Sequence, residues 1–270
     1  MALSAEECPL IARVVVGSQA HGLARPDSDT DYREVFLEPN FTILGLPDRR
    51  PKDGWGSQGR HVEDEGGWEL AKWLTMVRYG HPNAIELMFA PHVDVSEDPV
   101  ERKYVLDEPT RMQAVWTEVR GMAQLMLSAP EVRRSYIGYA DGLLQIAASL
   151  HDAQNSFRKI EDRPEKWMVG YLRSLWQGVQ LLTGRHINLA ITGASPAEDL
   201  ILKIVKEGEL HLGAVYDEGQ RLIQQMHNEP TLLPEKPLEG HVNRWLVEFR
   251  KDYGWLNQTA ELVAPSAATE

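Results

Sequence analysis

Hydrophobic positions follow two different rhythms along this chain. Residues 1 to about 107 mix short apolar runs with turn residues. Ile11–Val16 and Tyr32–Glu38 are strand-length runs, each followed or preceded by small and turn-forming residues. Trp68–Tyr79 has a helix-like pattern, and His81-Pro82-Asn83 supplies a break after it. Residues 40–66 are rich in Gly, Pro and charge, which predicts a long loop or hairpin beside the functional site. From 111 onward the period is helical. In 164–184, Met168, Leu172, Leu175, Val179 and Leu182 recur at four-then-three spacing and form one apolar stripe. Pro164 suits a helix start and Gly184 a stop. Similar logic predicts helices over 112–128, 130–150, 197–207, 211–227 and 238–253, with no internal repeat or heptad array. The expected architecture is an α/β core with a mixed sheet (1–107), an all-α helical bundle closing a cleft (108–258) and a flexible tail (259–270).

The chemistry concentrates in residues 17–31, GSQAHGLARPDSDTD. A Gly-Ser turn directly follows the first apolar run, and Asp29 and Asp31 follow about ten residues later. Gly17 lets backbone approach a phosphate closely, and Ser18 offers its hydroxyl and N–H to a phosphate oxygen. A short helix starting near Ser18 would point its positive end at the anion. Residues i and i+2 of a strand share a face, so Asp29 and Asp31, at the start of the Tyr32–Glu38 run, can serve one metal pair. Nucleotidyl transfer demands this: two magnesium ions, roughly 3.5–4 Å apart, activate the attacking oxygen and neutralise the leaving one. Magnesium prefers hard carboxylate oxygens.

The stretch GSQAHGLARPDSDTDYREVFLEP resembles the signature of the DNA polymerase beta superfamily of nucleotidyltransferases. More narrowly, it is similar to bacterial and phage predicted nucleotidyltransferases associated with RNA repair. The similarity is closest over 11–39, looser through HPNAIELMFAP (81–91) and fainter through 165–187. It implies an α/β nucleotidyltransferase core that moves a nucleoside monophosphate from a triphosphate such as ATP to a hydroxyl acceptor. It also implies two magnesium ions, with manganese as an alternative, and a third carboxylate on a neighbouring strand. Glu86, within Ile85-Glu86-Leu87, fits that third position best; Glu63, Asp64 and Asp94 are its rivals. The alternative for Glu86 is a pairing with an arginine or a capping role, since a lone buried carboxylate is expensive. Two departures from the subgroup affect acceptor or nucleoside contacts. Tyr32-Arg33-Glu34-Val35 lacks the usual small Gly, and Gly170 stands where relatives tend to carry a His.

Cations to neutralise a triphosphate are expected on the helical side. Arg158, Lys159, Arg163, Lys166 and Arg173 cluster, with Arg185 beyond and Arg133-Arg134 as another pair. The resemblance assigns nucleotide contacts to Lys166 and Arg173, beside Gly17 and Ser18. Tyr136 and Tyr139 could stack a base, although their spacing fits a core stripe better. The net charge of −12 argues against a broad surface for long duplex DNA and favours an RNA end or a small molecule as acceptor. No run of about 18 apolar residues is present, so no membrane partner is expected. The N-terminus carries no charged n-region, and the single Cys8 suits a reducing cytoplasm. Two competing classes are an inactive nucleotidyltransferase fold with a binding or regulatory role, and a helical interaction module carrying a coincidental motif.

Overall fold

A computed structural model of the chain describes residues 8, 10–38, 40–44, 65–92, 109–152 and 164–253. A small mixed sheet forms the N-terminal part, and most of the rest is helical. Strand β1 (Leu10–Val16) leads into the one-turn helix α1 (Gly17–Ala20), and β2 (Asp31–Phe36) returns antiparallel with Val16 opposite Asp31. After the short helix α2 (Asn40–Leu44), β3 (Glu65–Glu69) adds parallel to β2, with Tyr32 opposite Glu65 and Phe36 opposite Glu69. The order is β1-β2-β3. On the other side of β1, Val15 N–H donates to the Pro91 carbonyl at 2.9 Å and Val14 bridges His92.

The expected helix from Trp68 starts later, because Trp68 and Glu69 pair with β2 as strand. Helix α3 (Leu70–Arg78) begins where the Glu69 carboxylate caps it, accepting from Ala71 N at 2.7 Å and Lys72 N at 3.4 Å. Leu70, Trp73, Leu74 and Val77 form its buried stripe. Helix α4 (Pro82–Glu86) then starts with Pro at an N-terminal position, where the missing N–H costs nothing. This corrects the expectation that Glu86 lies on a strand: it closes α4, one helical turn after His81. Trp73 Nε1 donates to the Ala84 carbonyl at 2.9 Å and locks α3 against α4.

The helical part comprises α5 (Pro109–Gln124), α6 (Ala129–Asp152), α7 (Pro164–Gly184), α8 (Pro196–Leu202), α9 (Leu212–Asn228) and α10 (Glu239–Tyr253). Helix α7 keeps its expected ends, and its stripe of Met168, Leu172, Leu175, Val179 and Leu182 is buried. Helices α6 and α7 pack closely; Gly178 leaves room for Tyr136 of α6 and Met226 of α9. The run expected as one helix over 197–207 divides in two. Ser195 caps α8, and its last part loosens into a π-helix, Lys203–Glu207, ending at left-handed Gly208. Arg250 of α10 pairs with Glu69 and donates to the Glu38 carbonyl at 3.0 Å, while Asn40 Nδ2 donates to the Arg250 carbonyl at 2.7 Å. One buried apolar cluster runs from Ile11 of β1 through Trp116 and Leu175 to Phe249, so sheet and helices share a core. Residues 107 and 108, where the two parts were expected to divide, lie outside the described residues. Among the described residues no helix is long and apolar enough to cross a membrane.

Trp73 is fully buried and touches both the α4 backbone and Trp116. Trp73→Ala is expected to cost about 3–5 kcal/mol of stability, read from chemical denaturation, and to loosen α4.

Candidate active site

The site grows from the end of β1. Gly17 adopts φ +66°, the left-handed region that favours glycine. A Cβ there would collide with Asp31 Oδ2, so the missing side chain is what lets the carboxylate lie against the turn. The register explains the approach: Val16, just before Gly17, faces Asp31 at the first position of β2. Strand β2 therefore includes Asp31, one residue earlier than expected, whereas Asp29 is exposed and lies outside the strand. Leu23 N donates to the Ser18 carbonyl at 2.9 Å, and Arg25 N donates to Ser28 Oγ at 2.8 Å. These bonds fold residues 18–28 into a compact loop that delivers the chain to Asp29.

Glu86 does not join the two aspartates: among the described residues no three His, Cys, Asp or Glu side chains converge as a metal cage. Instead its carboxylate is buried, with Oε1 at 3.2 Å from His21 Nε2. His21, fully buried just after α1, places Nδ1 at 3.1 Å from the Leu189 carbonyl. Its own carbonyl accepts from Ile191 N at 3.0 Å. Burial alone would raise the Glu86 pKa. The Arg173 guanidinium, the His21 ring and the Gln177 amide outweigh it and hold the carboxyl at about 2. Arg173 Nε and the Tyr136 hydroxyl are buried there without direct hydrogen-bond partners. Tyr136 is pushed well above the ordinary tyrosine value, by burial first and by the Glu86 charge second, with Arg173 opposing. Glu86 thus lies against His21, with the Arg173 charge acting on it.

The other expected residues disperse. Lys166 is exposed on α7, while Arg173, later on the same helix, is part-buried beside Glu86. Arg133 donates from Nε to the Met226 carbonyl at 2.7 Å, and Arg134 pairs with Glu131. Arg185 is exposed at φ +53°. Glu63, Asp64, Asp94, Arg158, Lys159 and Arg163 lie outside the described residues. Tyr136 belongs to the core, and Tyr139 sits 6.3 Å from the His81 ring. Within the Tyr32–Val35 run, Glu34 pairs with Arg13 at 2.6 Å. Gly170 lies on α7 facing Leu143; a Cβ there would stand 3.1 Å from Leu143 Cδ1. Sequence reasoning missed His21 and Gln177. Their only signals were a histidine inside the signature loop and a polar residue flanking the α7 stripe.

Gly17→Ala is expected to cost roughly 1–3 kcal/mol in strain alone and to displace Asp31, seen as lowered thermal stability. The acid limb offers a second check. Because the folded pKa of Glu86 is depressed, its stabilisation is complete above the ordinary glutamate value of 4.5 and is lost as pH falls toward about 2. Glu86→Gln is expected to flatten that part of the stability-versus-pH curve, measured by denaturant titration across this window.

The model of the RNA repair pathway DNA polymerase beta family matches residues 2–146, more than half of the chain. No curated protein and no solved structure matches. The matched span holds the Gly17–Ser18 turn, Asp29, Asp31, the His21–Glu86 contact and Tyr136, while the Arg173 side of the cluster lies beyond it. The chain belongs to the RNA repair pathway DNA polymerase beta family.

Proposed function

We propose that this DNA polymerase beta-like nucleotidyltransferase moves a nucleoside monophosphate from a nucleoside triphosphate to a hydroxyl at an RNA end. The contact of Asp31 with the Gly17 turn carries the reading, because it sets a carboxylate against the Gly-Ser backbone turn. Family membership supports the reaction class, and the family description favours RNA over a small molecule as acceptor.

The acceptor oxygen forms a bond to the α-phosphorus as the bond to the bridging β-oxygen breaks. Pyrophosphate leaves with that electron pair, and the hydroxyl proton passes to water on the exposed Asp29 side. Gly17 and Ser18 hold the β,γ-phosphates through backbone N–H groups and the serine hydroxyl. The donor set suits magnesium, since both aspartates offer hard oxygens. Asp29 and Asp31 would hold the ions, magnesium first and manganese second, which supply charge neutralisation and hydroxyl activation. The third carboxylate comes from Glu63 or Asp64 in this reading. Strand β3 runs parallel to β2 with Glu65 opposite Tyr32, and both residues immediately precede Glu65 in the sequence. Lys166, exposed on α7, neutralises phosphate charge. Arg173 acts as a positioning residue through Glu86 and His21.

The test incubates the protein with magnesium, each α-labelled triphosphate and cellular RNA. Label transfer is expected, and Asp29→Ala or Asp31→Ala should lower it by at least about 10²-fold, as the loss of several kcal/mol of charge stabilisation requires. Triphosphate binding without any transfer would identify an inactive binding protein and overturn the proposal.

A further inference from the structure

A cavity of about 550 Å³ opens between residues 22–25 of the signature loop and residues 205–208 at the end of the π-helix. It belongs to neither the Asp31 contact nor the Glu86 cluster. Its volume is that of a nucleotide-scale site. Two cations line it, Arg25 and Lys206, against one anion, Glu207, and all three are exposed. Arg25 Nη2 donates to the Val205 carbonyl at 3.0 Å and so ties the two walls together. Lys203, on the same helical turn, is already engaged by Asp199 at 2.8 Å.

Leu23 and Val205, both part-buried, give the cavity apolar surface for a sugar or base. Gly22 at φ +65° and Gly208 at φ +71° bracket it, and a Cβ at either would meet nothing within 4 Å. Bare backbone therefore faces open space on both walls, where a sugar-phosphate can approach closely. The π-helix itself is a distortion found frequently at functional sites.

We propose that this cavity holds the terminal phosphodiester and nucleotide of the acceptor RNA strand. The inference rests on the transferase reading and names the place where its acceptor docks. A surplus of one positive charge matches a phosphodiester; a triphosphate carries several negative charges and is better served at the Gly17–Asp31 turn. Position agrees as well. The 22–25 wall is bonded to Ser18 through Leu23 N at 2.9 Å, and it leads directly to Ser28 and Asp29. A strand end lodged there lies against the loop that connects the phosphate turn to the carboxylates.

The experiment measures fluorescence anisotropy of a labelled single-stranded oligoribonucleotide with the full chain, in EDTA and without triphosphate. Binding then depends on neither metal nor transfer. Arg25→Ala with Lys206→Ala is expected to weaken binding about tenfold. The slope of log affinity against log salt should shrink by about 0.7, the value for one phosphate contact on a single strand. Lys206→Glu alone, at an exposed position with no folding burden, should weaken it in the same direction. Triphosphate affinity, measured separately with magnesium, should stay within twofold. Unchanged RNA affinity and salt slope in both variants overturns the assignment. So does loss of triphosphate affinity with RNA binding intact, which would make the cavity the triphosphate's own. Failure of RNA binding in the unaltered protein also overturns it, while leaving label transfer to other acceptors, and its dependence on Asp29 and Asp31, as the separate test of the reaction.

Discussion

The charge on Glu86 must be matched where it lies, and the middle of the molecule is arranged around that requirement. A carboxylate taken out of water is destabilising by several kcal/mol unless cations and donors surround it. Here the compensation comes from two directions: His21 follows α1, and Arg173 and Gln177 lie on α7. The signature loop is thereby joined to α7 through one side chain. His21 is gripped at its ring by Leu189 and at its backbone by Ile191, so the segment after α7 also takes part. Removing any member leaves the others buried without compensation, which is costlier than never having buried them.

A second constraint acts on the reactive side. Asp31 lies against the turn only because residue 17 has no side chain and takes a left-handed conformation. The antiparallel pairing of β1 and β2 sets the height of that contact, and β3 adds parallel to β2 with Glu65 opposite Tyr32. The phosphate turn and the carboxylate are therefore products of backbone geometry, whereas the Glu86 cluster holds the loop between them steady. The two groups do different chemistry. One is the side proposed to meet the reactants; the other surrounds the buried Glu86 carboxylate.

The helical part contributes walls as well as support. Arg250 and Asn40 fasten α10 to the edge of the sheet, and the π-helix meets the signature loop through Arg25. A net charge of −12 argues against a broad cationic surface, and the proposed polyanion contact rests on a few placed cations. Arg25 and Lys206 beside bare glycine backbone are such a placement.

Local pattern alone determined a good deal. Helix α7 was legible to its ends because a proline, a glycine and a 3.6-residue stripe are all short-range signals. The Gly-Ser turn and the first two strands were legible too, and so was the nearness of an aspartate to the turn, since a short loop between paired strands leaves few alternatives. Tertiary structure decided the rest. Trp68 and Glu69 read as helix by period, but an open parallel edge on β2 drew them into strand. Glu86 read as a metal ligand by its apolar neighbours, but a buried carboxylate is assigned by whichever cation reaches it, and His21 and Arg173 stand far away in sequence. The cavity at 22–25 and 205–208 has no sequence signature at all. Periodicity reports how a segment meets its own neighbours; partners distant along the chain are chosen by packing, and packing selects which charges face each other.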